Sequence, residues 1–226
     1  PYARRYGKTT GVLWTMTTVT YIDSMGSDLS VVNAARVSFG KKKESFDVEK
    51  DTRLIRYLAR NRHTSPFGHC FASFHVHAPI FVARQLVKHK FLRWNEISRR
   101  YVDEDPKYYV PDVWRGRSAD KKQGSEGEVS VAISNIHYHN ENTQGLYRQL
   151  IDEGVAPEQA RMVLPQSVMT EWYWSGSLDA FADMCNLRLK DDTQYETGLV
   201  AEQIDQHMLG LFPIAWEALV YEDVDE

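Results

Sequence analysis

The stretch KHKFLRWNEISRRY, residues 88–101, sets Lys88, Lys90, Arg93, Arg99 and Arg100 against one carboxylate, Glu96, in a chain whose formal net charge is -4. Crowded cations repel one another unless an anion lies among them, and phosphate is a small anion that such side chains commonly bind. Asn95 and Glu96 add an amide and an acid, groups that a nucleotide site uses for base edges and ribose hydroxyls. Trp94 and Tyr101 interleave with the charges and offer them ring faces. On residue chemistry alone, a phosphate-bearing ligand and a solvated charged face explain the stretch equally well.

Other reactive residue types are scattered. His63, His69, His75, His77 and His89 crowd together, and His75-x-His77 would share a strand face at a spacing that can ligate zinc. No acid stands among residues 63–90 to complete a set, so these histidines are expected to line a site or bond neighbours, with no metal. Cys70 falls on the apolar face of a strand pattern, where a thiol is inert. Ser98 is the better exposed nucleophile, yet nothing in the sequence pairs it with a base. Arg161 and Arg188 sit in otherwise apolar helical segments and need an anion, internal or bound.

The elements that must hold these residues follow from periodicity. VTYIDSM (19–25) reads as a strand and SDLSVVNAARVSF as a helix, and residues 47–62 form a surface helix before the turn Ser65-Pro66. GHCFASFHVHAP (68–79) alternates, with Cys70, Ala72, Phe74 and Val76 on one face. Pro79 suits the first position of the helix IFVARQLVKHK, so the basic cluster starts at that helix's last turn, where cations complement the dipole. Residues 102–127, rich in Asp, Pro, Gly and Lys, are expected to be a mobile insertion. A long helix follows to about Leu150, then a short one closed by Pro165. SVMTEWYWSGS is a strand, Ser177 a cap for the helix LDAFADMCNLRLK, and residues 195–220 a final helical region broken at Gly210 and Pro213.

Irregular interleaving of strands and helices, without a Gly-rich phosphate loop, argues for a segregated α+β fold that binds any nucleotide through side chains. The whole chain, 1–226, is expected to form one domain, with 1–18 as an extension. The acidic balance argues against a general nucleic-acid binder, though the basic-aromatic cluster keeps a salt-sensitive oligonucleotide module in view. No run is long and apolar enough for a membrane span, no signal peptide is visible, and two cysteines make no disulfide framework, so the expected location is cytoplasmic.

KHK, seven residues and then Ser98 resembles the Arg-His-Arg, seven residues, Ser signature of the flavin-dependent thymidylate synthases, with Asn95-Glu96 and Arg100-Tyr101 in their family places. DSMGSDLSVVNAARVSFG, RHTSPFGH, FHVHAPIFVARQ, ARMVLP and NLR resemble that family's other blocks in the same order, over residues 19–220. The resemblance implies a central, mainly antiparallel sheet flanked by helices. It also implies a homotetramer with active sites between subunits, each holding FAD and dUMP, with NADPH and methylenetetrahydrofolate as cosubstrates and no cysteine nucleophile. By position, Gln85, Arg100 and Arg161 resemble residues that hold dUMP, with Lys88, Glu96, Ile97, Ser98 and Arg99 around the same ligand. Arg188 matches the arginine that activates the uracil ring, and Ser98 a serine that positions the substrate. Ser38, His63, Ser65, Lys88, His89, Lys90, Glu96, Ser177, Asp179 and Asp183 match positions around FAD. Departures are plain: Lys88 and Lys90 replace two arginines, Gly68 a glutamate, and Ser177, Asp179, Asp183 and Asp192 stand where Asn, Arg, Asn and His are usual.

Overall fold

The central sheet of the chain, seen in a computed structural model that describes residues 17–102, 104–119 and 124–222, has the order β1-β2-β6-β3, every pair antiparallel. Its strands are β1 (Thr18–Met25), β2 (Phe71–Pro79), β3 (Arg93–Glu96) and β6 (Met169–Ser177). The alternation read in residues 68–79 appears as burial of Ala72, Phe74, Val76 and Ala78 on one face of β2, against which Thr170, Trp172, Trp174 and Gly176 of β6 are also buried. Trp94 of β3 stacks on Trp172 with ring centroids 4.3 Å apart, and Phe74 and Trp174 both meet Phe181 edge-on. Aromatic rings of this size carry much of the apolar burial of the fold.

Helices cover that face: α1 (Asp28–Arg36), α2 (Val48–Arg60), α6 (Leu178–Arg188), α7 (Tyr195–Leu211) and α8 (Pro213–Val220) share one core with the sheet. The result is a single α+β domain with a central antiparallel sheet flanked by helices. The expected break at Gly210 is absent; Pro213, which cannot donate to a preceding turn, ends α7 and starts α8. Ser177 precedes α6 but makes no side-chain cap, and the first free N–H of the helix, on Leu178, is taken by Cys70 O at 2.9 Å.

Three further elements build the remaining walls. Helix α3 (Ile80–Leu86) leaves β2 without a loop, Pro79 acting as N-cap rather than first helical residue, and Val168 O and Gln166 O accept from Ile80 N and Phe81 N. Residues 102–127, expected as a mobile insertion, include the strand β4 (Arg115–Arg117) and most of β5 (Ser125–Glu128), which ends one residue later and pairs with it antiparallel. Helices α4 (Ile133–Asp152) and α5 (Pro157–Ala160), the latter running into a 3-10 turn at Arg161–Val163, match the expected long and short helices. No helix among the described residues is long and apolar enough to cross a membrane. The proposed extension lies largely outside the described residues.

Candidate active site

Two cavities, of about 910 and 900 Å3, open on different faces of α3 and the turn that follows it. Ile80, Ala83, Arg84 and Val87, spaced 0, 3, 4 and 7, line the first; Phe81, Gln85 and Lys88, spaced 0, 4 and 7, line the second. A single amphipathic turn sequence therefore divides the predicted ligand residues. Glu96, Ile97, Ser98, Arg99, Arg100 and Arg161 belong to the first cavity, whereas Gln85, Lys88 and Arg188 belong to the second.

The basic stretch reaches the first cavity through β3, which pairs with Trp172–Ser175 of β6, and through Ile97 N, which donates to Glu171 O at 3.0 Å. Glu96 is held at both oxygens: Thr170 Oγ1 donates to Oε1 at 2.7 Å and Trp94 Nε1 to Oε2 at 3.1 Å. Arg99 donates to Glu104 O, Arg100 to Ser98 Oγ and Arg161 to Glu158 O. Among the described residues none of these three arginines is ion-paired; of the acids in the same cavity, Glu171 bonds His75 at 3.1 Å and Asp105 pairs with Arg148, while Glu104 and Glu158 share the cavity with the arginines. The remaining guanidinium N–H groups can bond an external anion, to which Arg is well suited. Ser98 Oγ accepts from both the backbone N and Nε of Arg100, which ties this serine to a cation rather than to a base.

The second cavity has an apolar wall of Phe81, Tyr109, Pro111, Val113 and Trp114 and a polar wall that includes Lys88 and Arg188. Arg188 ends α6, and its Nε donates to His89 Nε2 at 3.0 Å. A guanidinium can only donate, so Nε2 must carry a lone pair and His89 must be neutral. Burial, with the Arg188 charge beside it, pushes the His89 imidazole down to about 4, and burial also lowers Arg188 from its usual range. Locking Nε leaves the Nη groups of Arg188 as donors of fixed direction.

Other predicted residues lie apart from both cavities. Ser38, His63, Ser65, Lys90, Ser177, Asp179 and Asp183 line neither of them. His63 packs edge-on against Tyr57 at 5.9 Å. Asp179 Oδ1 is buried without a hydrogen-bond partner, 3.9 Å from where a Cβ on Gly68 would stand. Burial and the nearby Asp179 charge raise the Asp183 carboxyl. Both cysteines are buried, and burial lifts the Cys70 thiol to about 11 and Cys185 well above its usual value, so neither is a ready nucleophile. Sequence reasoning missed Tyr109, Trp114, Gln194 and Glu196 in the second cavity; they are ordinary polar and aromatic residues in loops and at the start of α7, with no spacing that announces a site.

The α+β domain thus holds one cavity with arginines that make no ion pair among the described residues and a second in which Arg188 is bonded to His89. The sequence profile of the thymidylate synthase complementing protein family matches residues 20–214. Flavin-dependent thymidylate synthases of Thermus thermophilus, 41% identical over 88% of this chain and 74% of theirs, and of Thermosipho africanus, 37% identical over 88% and 89%, are similar to it. So is the crystal structure of the UMP/dUMP methylase PolB from Streptomyces cacaoi bound with 5-Br dUMP, with a TM-score of 0.80, 33% identity and coverage of 91% of this chain and 97% of that one. The chain belongs to the flavin-dependent thymidylate synthase family.

Proposed function

We propose that the protein converts dUMP to dTMP by reductive methylation, as an FAD-dependent methyltransferase that takes its carbon from methylenetetrahydrofolate and its reducing equivalents from NADPH. The observation that carries this reading is the set of unpaired guanidinium groups, Arg99, Arg100 and Arg161, beside Ser98 in the first cavity. They are suited to the dUMP phosphate, and Glu96, Ile97 and Ser98 to the rest of the nucleotide, with Gln85 and Lys88 completing the set from the second cavity. Gln85 and Lys88 stand on a different face of α3 from the residues of the first cavity, an arrangement that supports a site completed by another copy of the chain, as in the homotetramer that the resemblance implies.

The second cavity's aromatic and proline lining, together with Lys88 and Arg188, suits the ring system of a flavin. Bound FAD supplies hydride after reduction by NADPH. His89, neutral and bonded to Arg188, and Lys90 follow Lys88 directly in the chain, with Ser38, His63, Ser65 and Ser177 as further FAD positions. Asp179 and Asp183 suit hydroxyl donors of the cofactor better than its pyrophosphate, since acids repel phosphate and Asp179 Oδ1 lacks a donor. Arg188 directs its Nη donors at the uracil carbonyl on which negative charge develops during activation of C5, and such placed charge is commonly the largest catalytic contribution. Positioning by Ser98 suffices because neither thiol is activated. Purified protein should bind FAD and oxidise NADPH faster when dUMP is added; flavin-loaded protein indifferent to dUMP would overturn the reading.

A further inference from the structure

A chain of side-chain hydrogen bonds runs through the second cavity and ends on an acid. Thr197 Oγ1 donates to Gln85 Oε1 at 3.2 Å, Gln85 Nε2 donates to Gln194 Oε1, and Gln194 Nε2 donates to Glu196 Oε2 at 3.1 Å. Tyr109 OH donates to the other oxygen, Glu196 Oε1, at 3.5 Å. An amide can in principle turn over and exchange its oxygen and nitrogen, but a carboxylate only accepts. Glu196 therefore requires the NH2 group of Gln194 to face it. That requires the Gln194 oxygen to face Gln85, which in turn requires the Gln85 nitrogen to face Gln194 and its oxygen to face Thr197. The direction of the whole chain is set at Glu196, and Thr197, fully buried, closes the other end.

We infer that Thr197, Gln194 and Glu196 are positioning residues that fix the carboxamide of Gln85 in one orientation, presenting one N–H and one oxygen lone pair in set places to the nucleotide. Each Gln85 polar atom spends one of its two bonding positions within the chain, leaving one of each for a ligand. A preset amide binds without the cost of being ordered, and it rejects a ligand whose donor and acceptor are exchanged. The signal is invisible in the sequence, since Gln85 and DTQYET lie more than a hundred residues apart, with |i−j| of 109 and 112 for the two contacts.

The inference rests on the reading of Gln85 as a dUMP residue, and the test separates the two. In protein labelled with 15N at glutamine, the two Gln85 side-chain protons should give distinct, slowly exchanging signals without any ligand. These should shift or broaden in Thr197→Val and Glu196→Gln and return in Thr197→Ser. Dissociation constants for dUMP should rise about tenfold in Thr197→Val and in Glu196→Gln, with kcat at saturation much less affected. In a Gln85→Leu background the same substitutions should cost nothing further. Full additivity in that background, or unchanged Gln85 signals in the variants, would overturn the inference. Wild-type protein that binds no dUMP while showing the fixed Gln85 signals would instead overturn the functional reading.

Discussion

Arg188 and His89 form a pair in which each constrains the other: burial, with the arginine's charge beside it, keeps the imidazole neutral, and the imidazole aims the guanidinium. Arg188→Ala should lower turnover about 10²–10³-fold, the usual cost of deleting a placed charge-stabilising donor, while FAD content changes little. Turnover near that of the parent would remove Arg188 from its role. The pH dependence follows from the imidazole. In the fold His89 takes a proton only at about 4, but in the unfolded chain it does so near the ordinary 6.5. Protons thus favour the unfolded state as pH falls through that window, and stability present above it is lost on the way down. Urea midpoints should decline between pH 6.5 and 4 more steeply in the parent than in His89→Gln; identical profiles would contradict a neutral, buried His89.

At the scale of elements, α3 matters most, because its two faces place one set of residues in each cavity. Helix α2 depends on Asp51, fully buried and bonded by Lys43, by Arg36 at 3.1 Å and by Asp47 N at 2.8 Å. Burial opposes its ionisation, but these three donors outweigh that and hold its carboxyl below the usual range. Asp51→Ala strands two cations and should cost about 3–5 kcal/mol, read as a lower melting temperature, whereas a loss below about 1 kcal/mol would show the cations finding water instead. The long elements were legible because β2 and α3 carry clean period-two and period-3.6 patterns. Strand β3 was not: RWNE has one partly buried residue, Trp94, and is a strand because β6 offers it an edge. The β4–β5 pair was hidden by charged and glycine residues without an apolar alternation, and Gly176 shows its reason only in three dimensions, where Leu92 would lie 2.3 Å from a Cβ. The basic cluster was legible as a run of cations, yet its division between two cavities shows only in three dimensions.

For the whole molecule, a site split across α3 predicts that activity belongs to an assembly. Arg188→Ala and Arg100→Ala proteins should each be inactive alone. Mixed under conditions that exchange subunits, they should recover a fraction of parent activity, because some sites would receive an intact half from each; no recovery despite proven exchange would place both residues in one subunit's site. The most direct test is the product itself. Flavin-loaded protein given dUMP, methylenetetrahydrofolate and NADPH should release dTMP catalytically, with UMP as the comparison substrate suggested by the similar methylase. Sustained dTMP formation that requires all three is the predicted result, and flavin-loaded protein that binds dUMP but forms no methylated nucleotide would contradict the account.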